Sequence, residues 1–158
     1  MSAAPAGPPP LRPFGLVLHH DGRWTHEGVP ILNQKLRAAF DRGVRYLPAE
    51  GVYVVTLGRF RAQIELEEAG FFVREFDASK GEIALSDRSR EPLEVASLRS
   101  SKRDGALLCT VKRELRRDGL PARFFPAAQA LLLGAVDLDA EPPALRIAGR
   151  LVPLPELD

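Results

Sequence analysis

A single cysteine, a single methionine and a single tryptophan are spread over 158 residues. The lone Cys109 excludes an intrachain disulfide and a multi-cysteine zinc site. Its neighbours Leu107, Leu108 and Val111 mark it as a small hydrophobe of a buried strand. No apolar run approaches the roughly 18 residues that a membrane-spanning helix needs; the longest, residues 127–136, falls well short. The opening ten residues have neither a basic n-region nor an apolar h-region, so a signal peptide is excluded and a soluble, cytoplasmic protein is expected. Charge of one sign is also missing: 22 basic residues face 21 acidic ones, which gives no electrostatic footprint of a nucleic-acid binder. P-loop, GxGxxG, GxSxG and HExxH motifs are absent. Ser86, Ser97 and Ser100 have no evident His–Asp partner. No enzyme class, cofactor or metal is implied.

What is present is an apolar fraction of 45%, enough for a core. Residues 1–13 are rich in Pro, Ala and Gly and read as a disordered or polyproline-like tail. Residues 15–20 and 23–27 read as two strands joined at Asp21-Gly22, a two-residue hairpin signal. A helix is predicted from an Asn33 cap to Arg42, with Leu32, Leu36, Ala39 and Phe40 on one face and Gly43 as a left-handed terminator. Strands are predicted over residues 52–57, 61–66, 71–76, 82–85, 93–98 and 106–115. A second helix spans 125–133, with Pro126 in its first turn and Gly134 at its end. A last hairpin covers 145–154.

The landmarks recur at a constant offset of 91. Leu16, Gly28, Pro30, Ala39, Gly43, Glu50, Gly58 and Arg59 map onto Leu107, Gly119, Pro121, Ala130, Gly134, Glu141, Gly149 and Arg150. Chance would supply about three such identities over this length. Three glycines and a proline mark the same joints in both halves, where backbone geometry constrains the residue most. The fold expected is α+β: two repeated hairpin–helix–hairpin units, residues 14–80 and 81–158, each a curled antiparallel sheet packed on one helix.

The segment Asp21, Gly22, Arg23, Trp24 followed by Gly28, Val29, Pro30 and Ile31 resembles a bacterial family, domain of unknown function 1285. Further matches follow in order: Gly51 to Tyr53 with Thr56, then Glu68 to Val73, then Glu91, Pro92 and Leu93. After the tyrosine strand the family continues with a Pro-Val-Glu-Lys-like segment where this chain has Leu57, Gly58, Arg59 and Phe60, and the basic residue expected just after Ile31 is missing, so the chain is similar to a divergent member. The resemblance implies an α+β fold with two similar motifs, carries no catalytic residues, and implies a role in signal transduction.

Candidate sites follow from the repeat and the charge pattern. His19, Trp24 and His26 share a hairpin face if Asp21-Gly22 is the turn, which could place two histidines on one metal; ordinary histidines on a partly exposed hairpin are the simpler reading. Trp24 either packs over the first helix or offers a stacking platform. Residues 88–123 carry ten basic against five acidic residues, densest at Lys112, Arg113, Arg116 and Arg117. As an extended strand this stretch presents either a solvated edge or a stripe for phosphates, including those of a nucleic acid. Glu65, Glu67 and Glu68 have no visible acid–base partner. Arg59 and Arg150, equivalent in the two copies, could clamp an anion. The expected function is a non-enzymatic binding module whose ligand, a small anion or a protein partner, lies in the groove between the units, lined by Trp24, Arg59, Arg150 and the basic stripe. The alternative is a nucleic-acid binder using residues 112–117. No membrane partner is expected, and the protein is a monomer or a homodimer.

Overall fold

The computed structural model describes residues 13–157; apart from Pro13, the expected tail lies outside the described residues. Strand β1 (Pro13–Leu18) pairs antiparallel with β2 (Trp24–His26), and β2 with β3 (Val29–Pro30). Helix α1 (Gln34–Gly43) leads into the meander β4 (Val44–Leu47), β5 (Val52–Leu57) and β6 (Phe60–Leu66). The chain then forms β7 (Phe71–Asp77), β8 (Glu82–Leu85), β9 (Arg90–Pro92), a single 3-10 turn at Val95–Ser97, β10 (Arg99–Ser100), β11 (Leu107–Val111) and β12 (Leu120–Phe124). Helix α2 (Pro126–Leu133) packs on β7 and precedes a small sheet of β13 (Val136–Asp137), β14 (Ala144–Ile147) and β15 (Arg150–Pro153).

Two curled, mainly antiparallel sheets, each packed on a helix, make up the fold. Their strand orders are β3-β2-β1-β6-β5-β4 and β9-β8-β7-β12-β11-β10. The second order is the first advanced by six, so both sheets have one topology: two meanders joined by a single parallel pair, β1 with β6 and β7 with β12. α1 links the meanders of the first sheet; the turn at Val95–Ser97 does so in the second. That stretch, expected as a strand over 93–98, is therefore a crossover. One apolar cluster runs through both sheets, from Leu16, Trp24 and Phe40 to Phe71, Phe72, Cys109 and Phe124.

The offset of 91 also has a physical counterpart, a helix followed by a three-stranded meander. The pair Val44↔Val55 returns 91 residues later in the hydrogen bond from Arg146 N to Ala135 O. At the next turn the spacing slips to 90, because Leu57↔Phe60 corresponds to Ile147↔Arg150. Arg59 thus lies inside its two-residue loop and Arg150 just beyond its own, so the two arginines are not equivalent. The expected division at residues 80 and 81 falls inside the β7–β8 hairpin; the sheets change over at residues 67–70.

Local chemistry accounts for the helix ends. Asn33 caps α1 by accepting from Leu36 N at 3.0 Å, and Leu32, ahead of the cap, is exposed rather than on the buried face. Gly43 is not left-handed. It is the last helical residue, and a Cβ there would meet Thr56 O at 2.2 Å, so glycine is required by the close approach of α1 to β5. Gly134 likewise caps α2 in a right-handed conformation.

The first hairpin pairs Leu18 with Trp24, one residue away from a two-residue turn. The loop is His20, Asp21 and Gly22, with Gly22 at φ 89 supplying the left-handed position of a three-residue connection. That slip exchanges faces. Trp24 and His26 point with Leu16 and Leu18, whereas His19 turns to the other face and its Nε2 meets Thr25 Oγ1 at 2.9 Å.

Residues 67–70 tie the sheets together. Glu67 N donates to Leu18 O at 3.0 Å, and its carboxylate accepts from the His20 amide and from the rings of His19 and His20. Glu68, largely buried, accepts from Ser101 Oγ at 2.6 Å and from Arg123 at 3.0 Å. Arg123 also holds Asp104 through two bonds of 3.0 and 2.6 Å. Hydrogen bonds from the His20 ring hold the Glu67 carboxyl down at about 2, and those from Arg123 do the same for Asp104. A carboxyl depressed on folding stabilises fully above its unfolded value near about 4 and loses that contribution as pH falls toward its folded one. We expect Glu67→Gln with Asp104→Asn to be less stable than the parent at pH 7 and to converge with it as pH falls from 4.5 to 2. Urea unfolding across this range measures it; parallel stability curves would contradict the assignment.

Candidate functional site

A cleft of about 250 Å³ lies between α1 and the second sheet, lined by Ala38 and Arg42 from α1 and by Arg74, Glu75, Ala84, Leu85, Ser86, Arg88 and Arg90. Four arginines from three separate stretches of backbone therefore meet one acid. Three local features put them there. Arg42 is in the last turn of α1, where a cation suits the helix dipole. Arg74 is the extra residue of a β-bulge: Val73 pairs with Leu85 and Glu75 with Ala84, so Arg74 and Glu75 both face outward.

Arg88 is the third feature. Ser86, Asp87 and Arg88 form a three-residue loop between β8 and β9, closed by Arg88 N to Leu85 O and Leu85 N to Ser89 O, each 2.9 Å. The β1–β2 loop has the same build with Gly22 in its left-handed position; here the equivalent residue is Arg88, at φ 71. A non-glycine residue in that region carries about 1–2 kcal/mol of strain. A long cation is thus held there against its conformational preference, lining the cleft together with three more arginines.

Lys112, expected on a basic stripe, is the buried support of this loop. Its Nζ lies 2.7 Å from Asp87 Oδ2 and 3.1 Å from Ser89 Oγ, above the Phe71 ring at 4.8 Å. Burial pushes the Asp87 carboxyl up, but bonds from Lys112 and Ser89 outweigh it and the net shift is downward. Residues 113–118 are turns and bends, not a strand, because Lys112 itself takes φ 54 and ends the pairing. The stripe is thus broken up: Arg113 makes a bidentate pair with Glu94 at 2.8 and 2.7 Å, and Arg116 and Arg117 are exposed on the loop. The strand-borne stripe expected over residues 112–117 is therefore not formed.

The remaining candidates fall elsewhere. Trp24 is buried against the Phe40 ring at 5.2 Å and donates from Nε1 to Asp41 Oδ1 at 2.8 Å; it offers no face to stack on. Asp41 Oδ2 in turn accepts from Arg74 at 3.3 Å, so Trp24 is two bonds from the cleft. Burial raises the Asp41 carboxyl above its ordinary value. Arg59, in a turn of the first sheet, and Arg150, at the start of β15 in the small sheet, are exposed and make no ion pair among the described residues. His19, His20 and Glu67 belong to the sheet junction, Glu68 to the same network, and no cluster able to hold a metal is found among the described residues. Cys109 is fully buried, which pushes its thiol up to about 12. Arg88 and Arg90 open the basic window 88–123 seen in the sequence, but their meeting with Arg42 and Arg74 comes only through the fold.

No family model matches the chain, and no curated protein matches it. Two solved structures share its fold. One is a DUF1285 family protein from Silicibacter pomeroyi, 17% identical, with a TM-score of 0.58 over 96% of this chain and 89% of that one. The other is a DUF1285 family protein from Shewanella baltica, 13% identical, with a TM-score of 0.51 over 78% of this chain and 94% of that one. At these identities the likeness is one of fold.

Removing Lys112 leaves Asp87 buried without its cation, so Lys112→Met is expected to destabilise by about 3–5 kcal/mol. Arg113→Ala, at an exposed pair, should cost about 1 kcal/mol or less. Denaturant titration separates the two; equal effects would mean that Lys112 does not anchor the loop.

Proposed function

We propose that this protein is a non-enzymatic binding module that takes an anion in the cleft between α1 and the second sheet. The observation that carries the reading is the convergence of Arg42, Arg74, Arg88 and Arg90 on one small concavity, with Arg88 in a strained conformation. Guanidinium groups keep their charge at any physiological pH and offer fork-shaped donors to oxyanions. The lining holds one carboxylate, Glu75, paired with Arg90, one hydroxyl, Ser86, which accepts from Phe72 N, and neither histidine nor cysteine. The sequence motifs and the fold together support distant kinship with the DUF1285 proteins; that the role is cytoplasmic signal transduction, with the anion as the signal, is part of the proposal. A protein partner that supplied the anion from one of its own side chains would use the same arginines.

The test is binding of sulfate and phosphate, followed by calorimetry and by the fluorescence of Trp24, which is linked to the cleft through Asp41 and Arg74. Arg88→Gly is the informative variant, because it removes the guanidinium and relieves the backbone. We expect it to be at least as stable as the parent and to bind anions at least tenfold more weakly. Unchanged affinity in Arg88→Gly and in Arg42→Ala would refute the site.

A further inference from the structure

The balance of charge around the cleft says more about the anion. α1 contributes Arg42 and Asp41; β7 contributes Arg74 and Glu75; β8 contributes Glu82; the following loop contributes Asp87 and Arg88; β9 contributes Arg90. Most of these neutralise one another. Asp41 is shared by Trp24 and Arg74. Arg90 is within 3.1 Å of Glu75 and 3.5 Å of Glu82. Asp87 is taken by Lys112. Arg42 and Arg88 remain, one on each wall, and neither has a carboxylate partner among the described residues. Because Arg90 faces both Glu75 and Glu82, the groups named, with Lys112, carry a net charge of about one positive; Arg42 and Arg88 are the two guanidiniums whose forks stay open to one phosphoryl group. Beneath them the wall is apolar, formed by Ala38, Ala84 and Leu85, with the buried Ser86 beside them. The hydroxyl of Ser86 accepts from Phe72 N at 3.0 Å, which leaves its own hydrogen to donate.

Resting on the anion-binding reading above, we propose that the ligand is a small phosphate monoester bound as its dianion, with the phosphoryl group between Arg42 and Arg88 and a short hydrocarbon portion against Ala38, Ala84 and Leu85. The cleft volume of about 250 Å³ suits a phosphoryl group with a compact apolar substituent and excludes a duplex or an extended chain. The lining contains no histidine, cysteine or tyrosine, and its cations are guanidiniums. Affinity therefore follows the ionisation of the ligand, whose second proton leaves near about pH 6.

The experiment is calorimetric titration of the full chain with phenyl phosphate, and with benzenesulfonate as a tetrahedral monoanion of similar size, at several values between pH 5 and pH 8. Phenyl phosphate is expected to bind at least tenfold more tightly than benzenesulfonate at pH 7.5 and to weaken as pH falls through 6. Benzenesulfonate should stay flat; it also reports any titration of Asp41, which would move both ligands together. Arg42→Ala and Arg88→Gly should each abolish the preference for phenyl phosphate. If both ligands bind equally with flat profiles and both variants lose them, the dianion inference is wrong while the anion site stands. If neither ligand binds, both readings fall. Binding of phenyl phosphate that neither variant weakens overturns the assignment by placing the site elsewhere.

Discussion

The four residues between β6 and β7 set how everything else meets. A parallel pair lies at the centre of each sheet, so the chain leaves β6 beside β1 and enters β7 beside β12 through only these four residues. Ala69 is fully buried, and a Cβ on Gly70 would meet the Tyr53 ring at 2.7 Å. Glu67 reaches back to the first hairpin and Glu68 forward to Arg123 of β12. Short charge-assisted bonds on both sides of a buried connector fix the relation of the two sheets far better than apolar contact, which has no preferred direction. The orientation they fix brings α1 against the bulged hairpin of the second sheet, and the arginine cleft is a product of that orientation.

The cleft is assembled from departures from regular structure. A bulge turns Arg74 outward, a left-handed residue projects Arg88, and a helix terminus carries Arg42. Each is tolerated because something behind it is well bonded: Ser86 bridges to Phe72, Lys112 grips Asp87, and Asp41 joins Trp24 to Arg74. Strain at a few positions, supported by a satisfied polar layer and an apolar core, is the pattern expected where backbone geometry serves binding rather than stability.

The sequence exposed the parts of this design that are local. Asn33 as a cap, Pro126 in the first turn of α2, the alternation of Ala62 and Ile64, and burial of Cys109 all follow from residue chemistry and short-range spacing. The duplication was visible because glycine and proline mark backbone joints. What stayed hidden depends on distance or on a single register step. The three-residue loop at His20 to Gly22 differs from a two-residue turn by one position, and that step moved His19 to the opposite face. Lys112 looked like one of a row of surface cations; only contact with Asp87, 25 positions earlier, makes it a buried support. Arg59 and Arg150 matched at an offset that slips by one residue in the very turn that carries them. The arginines of the cleft come from α1, β7, a loop and β9, and no linear pattern connects all four.

Anomalous diffraction from crystals soaked in tungstate, a heavy tetrahedral dianion, would test the central claim most directly. The account predicts one dominant peak within hydrogen-bonding distance of Arg42 and Arg88. A dominant peak at Arg59 or Arg150, or at Arg116 and Arg117, with none in the cleft, would contradict it.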